Sequence, residues 1–370
     1  MSKAAATSTP VWYRPLDRAS GADLLAVNRA CPIKSDFTFR FDREPDFFAW
    51  PSQVFASFRY TGIFAGERLI GYCIVGFNTG WTPDGWGQWA YAGDVRVLPE
   101  FRGQHLAMLA FEALVETVPP DVCVGFFIVN RGNRSGERIA RQFRSAAFSV
   151  CPAGTFDVVN LPLWRVGRRS ERQICRPARA SDIPEIGFLL RRAWEGRLFA
   201  PPVSDDRLAK SWGDGRLDRL LVVERDGRLR GVIAWRDFGD VRRTTVLRYS
   251  VRSLPLRAAW RLARRCDPTI AALPEPGDSL RAVTVTHLAA LDDDPAVQRA
   301  LLIEAMRAEA GRGTHLLQVG GMRGETVLQA VQGMVRLRFS SDVWVATRSA
   351  CRNTLERTMH RQPFIDLAMV

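Results

Sequence analysis

The chain has 370 residues, 46% of them hydrophobic and 25% charged, which is the length of two ordinary domains with apolar content to fill two cores. That balance excludes global disorder, and no run approaches the ~18–20 apolar residues of a membrane helix. The formal net charge is +13, and 49 of the 52 basic residues are Arg. The excess reads either as solvated faces or as attraction to anions, such as a phosphate-bearing cofactor or an acidic carrier protein. No RNP, zinc-finger or clear helix-turn-helix pattern points to nucleic acid. The opening MSKAAATSTP has no apolar core of signal-peptide length and predicts a short disordered lead-in to a soluble, cytoplasmic protein.

Seven cysteines (Cys31, Cys73, Cys123, Cys151, Cys175, Cys266 and Cys351) are odd in number, and no pair has CxxC spacing. Neither a disulfide framework nor a structural zinc site is expected, and the thiols read as core or idle. His105, His287, His315 and His360 form no HxH or HExxH pattern, so no metal is expected.

In chain order, Tyr13–Ala30 predicts a short strand, a capped start and an amphipathic helix. Val54–Phe77 predicts two strands joined by a Gly-Glu turn. Gln88–Leu98 predicts a long strand, Gln104–Val118 a helix and Val122–Val129 a further strand. After the basic linker Val166–Gln173 the same plan returns. Cys175–Trp194 is strand and helix, and Arg219–Phe238 is a hairpin turning at Asp226-Gly227. Ser279–Ala290, Ala296–Ala310 and His315–Val319 then predict strand, helix and strand. The fold class is a mixed α/β sheet, built twice, with domains 1–168 and 169–370. Within the second, Arg252–Pro268 adds an Arg-rich amphipathic helix. It is either a solvated face or a dock for an acidic partner or a membrane surface.

The stretch Gly93–Leu109, GDVRVLPEFRGQHLAML, carries the strongest chemical signal. A strand stops at Pro99, Arg102-Gly103-Gln104 makes a short loop, and a helix starts near His105. A helix start offers unpaired N–H groups and partial positive charge, which suits a diphosphate, and Arg102 adds fixed charge.

Val97-Leu98-Pro99-Glu100-Phe101-Arg102-Gly103-Gln104-His105-Leu106-Ala107 resembles the strand end and pyrophosphate loop of the GNAT acyltransferases. Asn130 and Asn133 fall where that family has an Asn-rich segment, and Ala147-Phe148 where it often has Gly-Phe. The likeness covers about Val11 to Leu163 by motif and the second half in outline. It implies two tandem GNAT-like acyltransferase domains and acetyl-CoA or another acyl-CoA as co-substrate. By the same resemblance, backbone groups of Val95 and Val97 would meet the pantetheine arm. The loop Arg102, Gly103, Gln104, His105, Leu106 and Ala107, with Asn130, would bind the cofactor. His105 stands where the family has Gly. It is tolerable if the backbone there is helical and not if φ must be positive. It would then either touch the diphosphate or block it.

The catalytic candidates are Tyr91, Asp94 and Asn133. Tyr91 stands where some members carry a Glu base. Its ordinary pKa near 10 makes it a poor base, so water held by Tyr91, or Asp94 if it faces the cleft, is the expected proton route. Phe143 stands where many members have a proton-donating Tyr. Asp36–Gln53 reads as a lid helix over the acceptor site, with Asp42, Glu44 and Asp46 to attract a cationic amine and Phe47, Phe48 and Trp50 to line a pocket or pack the lid. In the second half the matching loop is Asp292-Asp293-Asp294-Pro295. Three carboxylates repel a diphosphate, and Asp294 before Pro295 is a helix cap. That half is expected to have kept the fold and lost the cofactor.

The expected function is transfer of an acyl group, acetyl first, to an amine-bearing small molecule or peptide. The alternatives are a long-chain or acyl-carrier-protein-dependent transferase, and a non-catalytic module of the same fold.

Overall fold

The computed structural model describes residues 10–34, 37–143, 148–164, 174–212, 216–351 and 362–369. The lead-in before Pro10, Ala147 and the linker Val166–Gln173 lie outside the described residues.

The first half runs β1 (Val11–Leu16), α1 (Gly21–Ala30), β2 (Ile33–Lys34), β3 (Phe37–Asp42), α2 (Ala49–Val54), β4 (Ser57–Ala65), β5 (Arg68–Thr82), β6 (Gly85–Val97), α3 (Leu106–Glu116), β7 (Val124–Asn130), α4 (Arg134–Gln142) and β8 (Phe148–Pro162). The second runs β9 (Ile174–Pro177), α5 (Ile183–Trp194), α6 (Asp205–Trp212), β10 (Leu220–Arg225), β11 (Arg228–Asp237), β12 (Arg243–Tyr249), α7 (Leu254–Cys266), β13 (Ser279–Leu280), β14 (Ala282–Ala290), α8 (Pro295–Glu309), β15 (Leu316–Met322), α9 (Thr326–Ala330) and β16 (Leu337–Arg348). The mixed α/β plan and its repeat are therefore present, and α7 is the Arg-rich insertion. Among the described residues, no helix is long and apolar enough to cross a membrane.

Twelve strands form one sheet in the order β1-β4-β5-β6-β7-β16-β8-β15-β14-β11-β10-β9. The two halves interleave at its centre. β16, from the end of the chain, lies between β7 and β8 and pairs antiparallel with both. β8 in turn pairs with β15 of the second half. The boundary at 168/169 falls between β8 and β9, so each half places a strand beside the other's. A smaller sheet, β13-β12-β3-β2, also joins strands of both halves.

Two expectations change here. The Asp36–Gln53 segment is not one lid helix. Its alternating Phe37, Phe39 and Phe41 make β3, which pairs with β12, and only Ala49–Val54 is helical. The thiols are also not all idle, because Cys123 and Cys351 are joined in a disulfide. The pairing of β16 with β7 sets Thr347 opposite Val124, which carries the residues just beyond each strand end together across a sequence separation of 228.

Candidate active site

The site is made by a divergence of strands. β6 and β7 are parallel neighbours only over Ala90–Ala92 and Gly125–Phe127. Gly125 permits that close approach, since a Cβ there would stand 2.6 Å from the Ala90 carbonyl oxygen. Beyond it, Gly93–Val97 pair only with β5, while Ile128–Asn130 pair with β16. The cause is a bulge. Register shifts between Tyr72 and Ile74 opposite Asp94-Val95, and Asp94 takes a left-handed φ of 49°. A bulge adds local twist and turns the strand from its neighbour. The result is a V-shaped opening with one edge of β6 turned to the gap.

The opening belongs to a cavity of about 1540 Å³ walled by both halves. Of the residues singled out from the sequence, Tyr91, Asp94, Val95, Val97, Arg102, Gly103, His105, Leu106, Ala107, Asn130 and Asn133 all line it, and Gln104 does not.

At one mouth stands the start of α3. Leu106, Ala110, Phe111 and Leu114 are buried against the sheet and fix the helix axis. His105 occupies the N-cap position with φ 59° and ψ 10°, and no side chain caps this helix. The Met108 and Leu109 N–H groups are the first bound into it, both donating to the His105 carbonyl. The N–H groups of Gly103 to Ala107 precede them at the positive end of the helix. Two other helix starts, those of α4 and α8, are closed by their own side chains. Asn133 Oδ1 accepts from the Gly136 N–H at α4, and Asp294 accepts from the Ala296 N–H at α8. Arg102 is exposed, and its Nε donates to the Val97 carbonyl oxygen at 3.0 Å. Cys31 Sγ approaches the same oxygen at 3.3 Å, and burial pushes the Cys31 thiol up despite the nearby Arg102 charge.

The left-handed backbone at His105 is the conformation that favours glycine. His105→Gly is expected to stabilise the fold by about 0.5–1 kcal/mol, the relieved strain exceeding the added chain entropy. Urea denaturation checks this, and CoA titration in the same variant answers the sequence question. Unchanged affinity means His105 neither touches nor blocks the diphosphate.

The catalytic candidates have distinct surroundings. Tyr91 is buried, stacks on Phe55 at 5.7 Å between ring centroids, and folds its phenol over Gly93, where a Cβ would come within 2.5 Å of the hydroxyl oxygen. Burial first, and the Asp94 charge second, push its pKa up to about 12. Asp94 is buried between two cations, with Arg43 Nη1 at 2.7 Å and Arg96 Nη2 at 3.2 Å. The Arg43 contact is an ion pair by distance, but Asp94 Oδ2 meets no hydrogen-bond partner at a good angle. Asn133 is engaged as the α4 cap. Asn130 Oδ1 accepts from the Ser341 hydroxyl of β16. Phe143 packs edge-on to Phe111 in the cluster between α3 and α4.

The acceptor-side residues are also occupied. Asp42 faces Arg40 and Thr245, Glu44 pairs with Arg29, and Asp46 pairs with Arg18. Phe47 and Phe48 are buried core, while Trp50, also buried, lines the cavity. The second half supplies part of the wall through residues that sequence reasoning did not name. Arg242, which follows β11, lines the cavity, as do Trp260 of α7 and the C-terminal Leu367–Met369. Trp50 Nε1 donates to the Ala368 carbonyl, tying that last segment to α2. No motif marks any of these in the chain.

The second half repeats the divergence without the cradle. β14 and β15 pair only over Ala282–Thr284 and Leu316–Gln318. Near the bulge of β14, His287 is packed by Trp194 and Trp212, and burial lowers its pKa to about 4. Asp292 pairs with Arg192 at 3.0 Å.

No family model matches the sequence, and no curated protein matches it. Among solved structures the chain is similar to Saccharomyces cerevisiae N-myristoyltransferase with bound myristoyl-CoA, at 10% identity and a TM-score of 0.58, over 93% of this chain and 81% of that one. It is also similar to the GCN5-related glucosamine N-acetyltransferase region of a fungal multi-domain GH3 beta-N-acetylglucosaminidase, at 10% identity and a TM-score of 0.60, over 93% of this chain and 39% of that one. At this identity the likeness establishes the fold. The chain has the mixed α/β fold of these GNAT-type structures, with which a tandem arrangement is consistent.

Proposed function

We propose that the chain is an acyl-CoA-dependent N-acyltransferase that works in its first half. One observation carries the reading: the uncapped, cavity-facing start of α3 stands beside the open V between β6 and β7, in one cavity. Arg102 and the N–H groups of Gly103 to Ala107 hold the diphosphate, and the free edge of β6 at Val95 and Val97 meets the pantetheine arm. The bound thioester supplies an activated acyl carbon. The acceptor nitrogen forms a C–N bond to it as the C–S bond breaks, one amine proton departs, and CoA leaves as the thiol.

With its pKa pushed up, Tyr91 keeps its proton at any ordinary pH, so its part is to donate a hydrogen bond to developing negative charge and not to act as base. Asp94 holds the bulge that opens the V. Asn133 holds the α4 start beside Asn130. The second half serves as a wall of the acceptor site.

Acetyl-CoA is the first donor to test, but the cavity favours a second reading. At about 1540 Å³ it exceeds the ~300–1,000 Å³ of ordinary small-ligand sites, which leaves room for a longer acyl chain or a bulky acceptor. Calorimetry with CoA, then thiol release from acetyl-CoA, long-chain acyl-CoA and acyl carrier protein with amine acceptors, distinguishes these. An absence of CoA binding would favour a non-catalytic module. Replacing Asp292, Asp293 and Asp294 together by Ala is expected to leave CoA affinity within about twofold; a large loss would place the cofactor in the second half.

A further inference from the structure

The Arg-rich α7 and the 3-10 turn before it, Val251–Ser253, turn a mixed apolar and basic face to solvent. Leu254, Ala258 and Leu262 recur four residues apart and share one side of the helix, with Arg261 and Arg265 beside them and Val251 one turn ahead. All six are exposed. Val251 is 80% exposed, Leu254 51% and Leu262 62%, so three large apolar side chains reach solvent within Val251–Leu262. The other side of α7 is packed. Trp260 is buried, stacks on Trp164 with ring centroids 5.8 Å apart, and donates from Nε1 to the Ala271 carbonyl. Packing therefore fixes which side of α7 faces out, and that side carries leucines where a merely solvated helix carries polar residues.

The charge on this segment has one sign. From Ser250 to Cys266 there are five Arg and no Asp or Glu. Arg257 turns over the Tyr249 ring, 4.3 Å from its centroid, while Arg252, Arg261, Arg264 and Arg265 are exposed. The acids that follow in the chain are held in turns. Asp267 accepts from the Thr269 N–H and hydroxyl, and Asp278 from the Glu275 N–H. Apolar side chains standing singly on a convex helix, with guanidiniums between them, match a surface that is both fluid and anionic. A bilayer interface takes in each side chain without a matching pocket, and headgroup phosphates meet the guanidiniums. A folded acidic partner needs a groove shaped to the same stripe.

We infer that α7 lies flat on an anionic lipid surface, with Val251, Leu254 and Leu262 set into the headgroup boundary and Arg261, Arg264 and Arg265 on headgroup phosphates. Arg252, Ser253, Leu256, Arg257 and Trp260 of the same segment line the cavity, so docking brings the cavity within one helix diameter, ~10–12 Å, of the lipid. A substrate with a lipid tail is then delivered beside a cavity large enough to take it. The lipid surface stands apart from the transferase reading, and the loss of either leaves the other in place.

The test is co-sedimentation of the full chain with vesicles of phosphatidylcholine alone, and of phosphatidylcholine and phosphatidylglycerol in equal parts. Wild type is compared with Arg261→Gln/Arg265→Gln, Leu254→Ser/Leu262→Ser and a control, Arg207→Gln/Arg225→Gln. The control removes the same charge from exposed positions on α6 and β10. All substituted side chains are exposed, and circular dichroism checks that each variant folds. Wild type is expected to bind the mixed vesicles, and phosphatidylcholine alone about tenfold more weakly. Both α7 variants should weaken binding to the mixed vesicles by about tenfold, and the control by less than about twofold. No binding of wild type overturns the inference. So does an equal loss in the control and the α7 arginine variant, which would assign binding to the net charge of +13. Unaltered binding in Leu254→Ser/Leu262→Ser overturns it as well, because the apolar stripe would then not enter the lipid. Capture of an acidic acyl carrier protein by α7 without vesicle binding gives the face to a protein and overturns it too. Thiol release from acyl-CoA without vesicle binding overturns the lipid surface and keeps the transferase. Vesicle binding through α7 with no thiol release supports the surface and counts against the transferase.

Discussion

Asp94→Asn is expected to cost about 3–5 kcal/mol of folding stability, the effect of stripping one partner from a buried ion pair. The substitution keeps the size of the side chain, and Asn accepts the left-handed backbone at this position nearly as well as Asp does, so shape and strain are little altered. What changes is charge. Arg43 and Arg96 would remain buried with no carboxylate between them. At Arg43 burial is the largest influence and works against the charged form, but Asp94 together with Tyr60 and Tyr72 outweighs it, so the guanidinium pKa is raised overall. Removing Asp94 takes away the largest influence that opposes burial. Urea denaturation of the wild type and variant measures the loss. Combining Asp94→Asn with Arg43→Met should recover part of it, because the second change removes a cation that has lost its partner. A general base would behave differently: its amide variant would lose turnover at unchanged stability. A stable Asp94→Asn chain with a collapsed rate would therefore return Asp94 to the catalytic role that the sequence suggested.

Much of the scaffold was legible because its signals are local. Alternation wrote β4, β5, β10 and β11 into the sequence, and Leu106, Ala110, Ala113 and Leu114 recur at helical spacing along α3. The loop from Pro99 to His105 was readable because its chemistry depends on chain order alone. The strand exchange was not. β16 has the same half-buried alternation whether it pairs within its own half or between β7 and β8, so pattern does not choose the partner. The Cys123–Cys351 bond follows from that pairing and was hidden with it. The arginines near Asp94 were hidden for a related reason. Arg43, Arg96 and Arg242 come from a loop, a strand and the other half, and among 49 arginines no single one stands out. Asp94 was noticed as a carboxylate near a strand end, but its φ of 49° and its two cations are properties of the bulge.

Arg102→Glu is expected to weaken CoA binding by about 30–150-fold, or ~2–3 kcal/mol, the scale of one charge-assisted hydrogen bond to a phosphate together with local repulsion. Arg102 is exposed at the loop beside the start of α3, and its Nε is held by the Val97 carbonyl, which aims the rest of the guanidinium. The loss should be smaller at high salt, since an exposed charge is screened over ~10 Å at 0.1 M ionic strength. Arg102→Lys should retain most of the affinity, because a point charge near a diphosphate suffices where the backbone N–H groups supply the directional contacts. Stability should hardly change in either variant, since the side chain lies at the surface. Calorimetric titration of CoA at two salt concentrations measures all three effects. Equal affinity in wild type and Arg102→Glu would mean that the diphosphate does not lie at the start of α3, and the first-half assignment would fall with it.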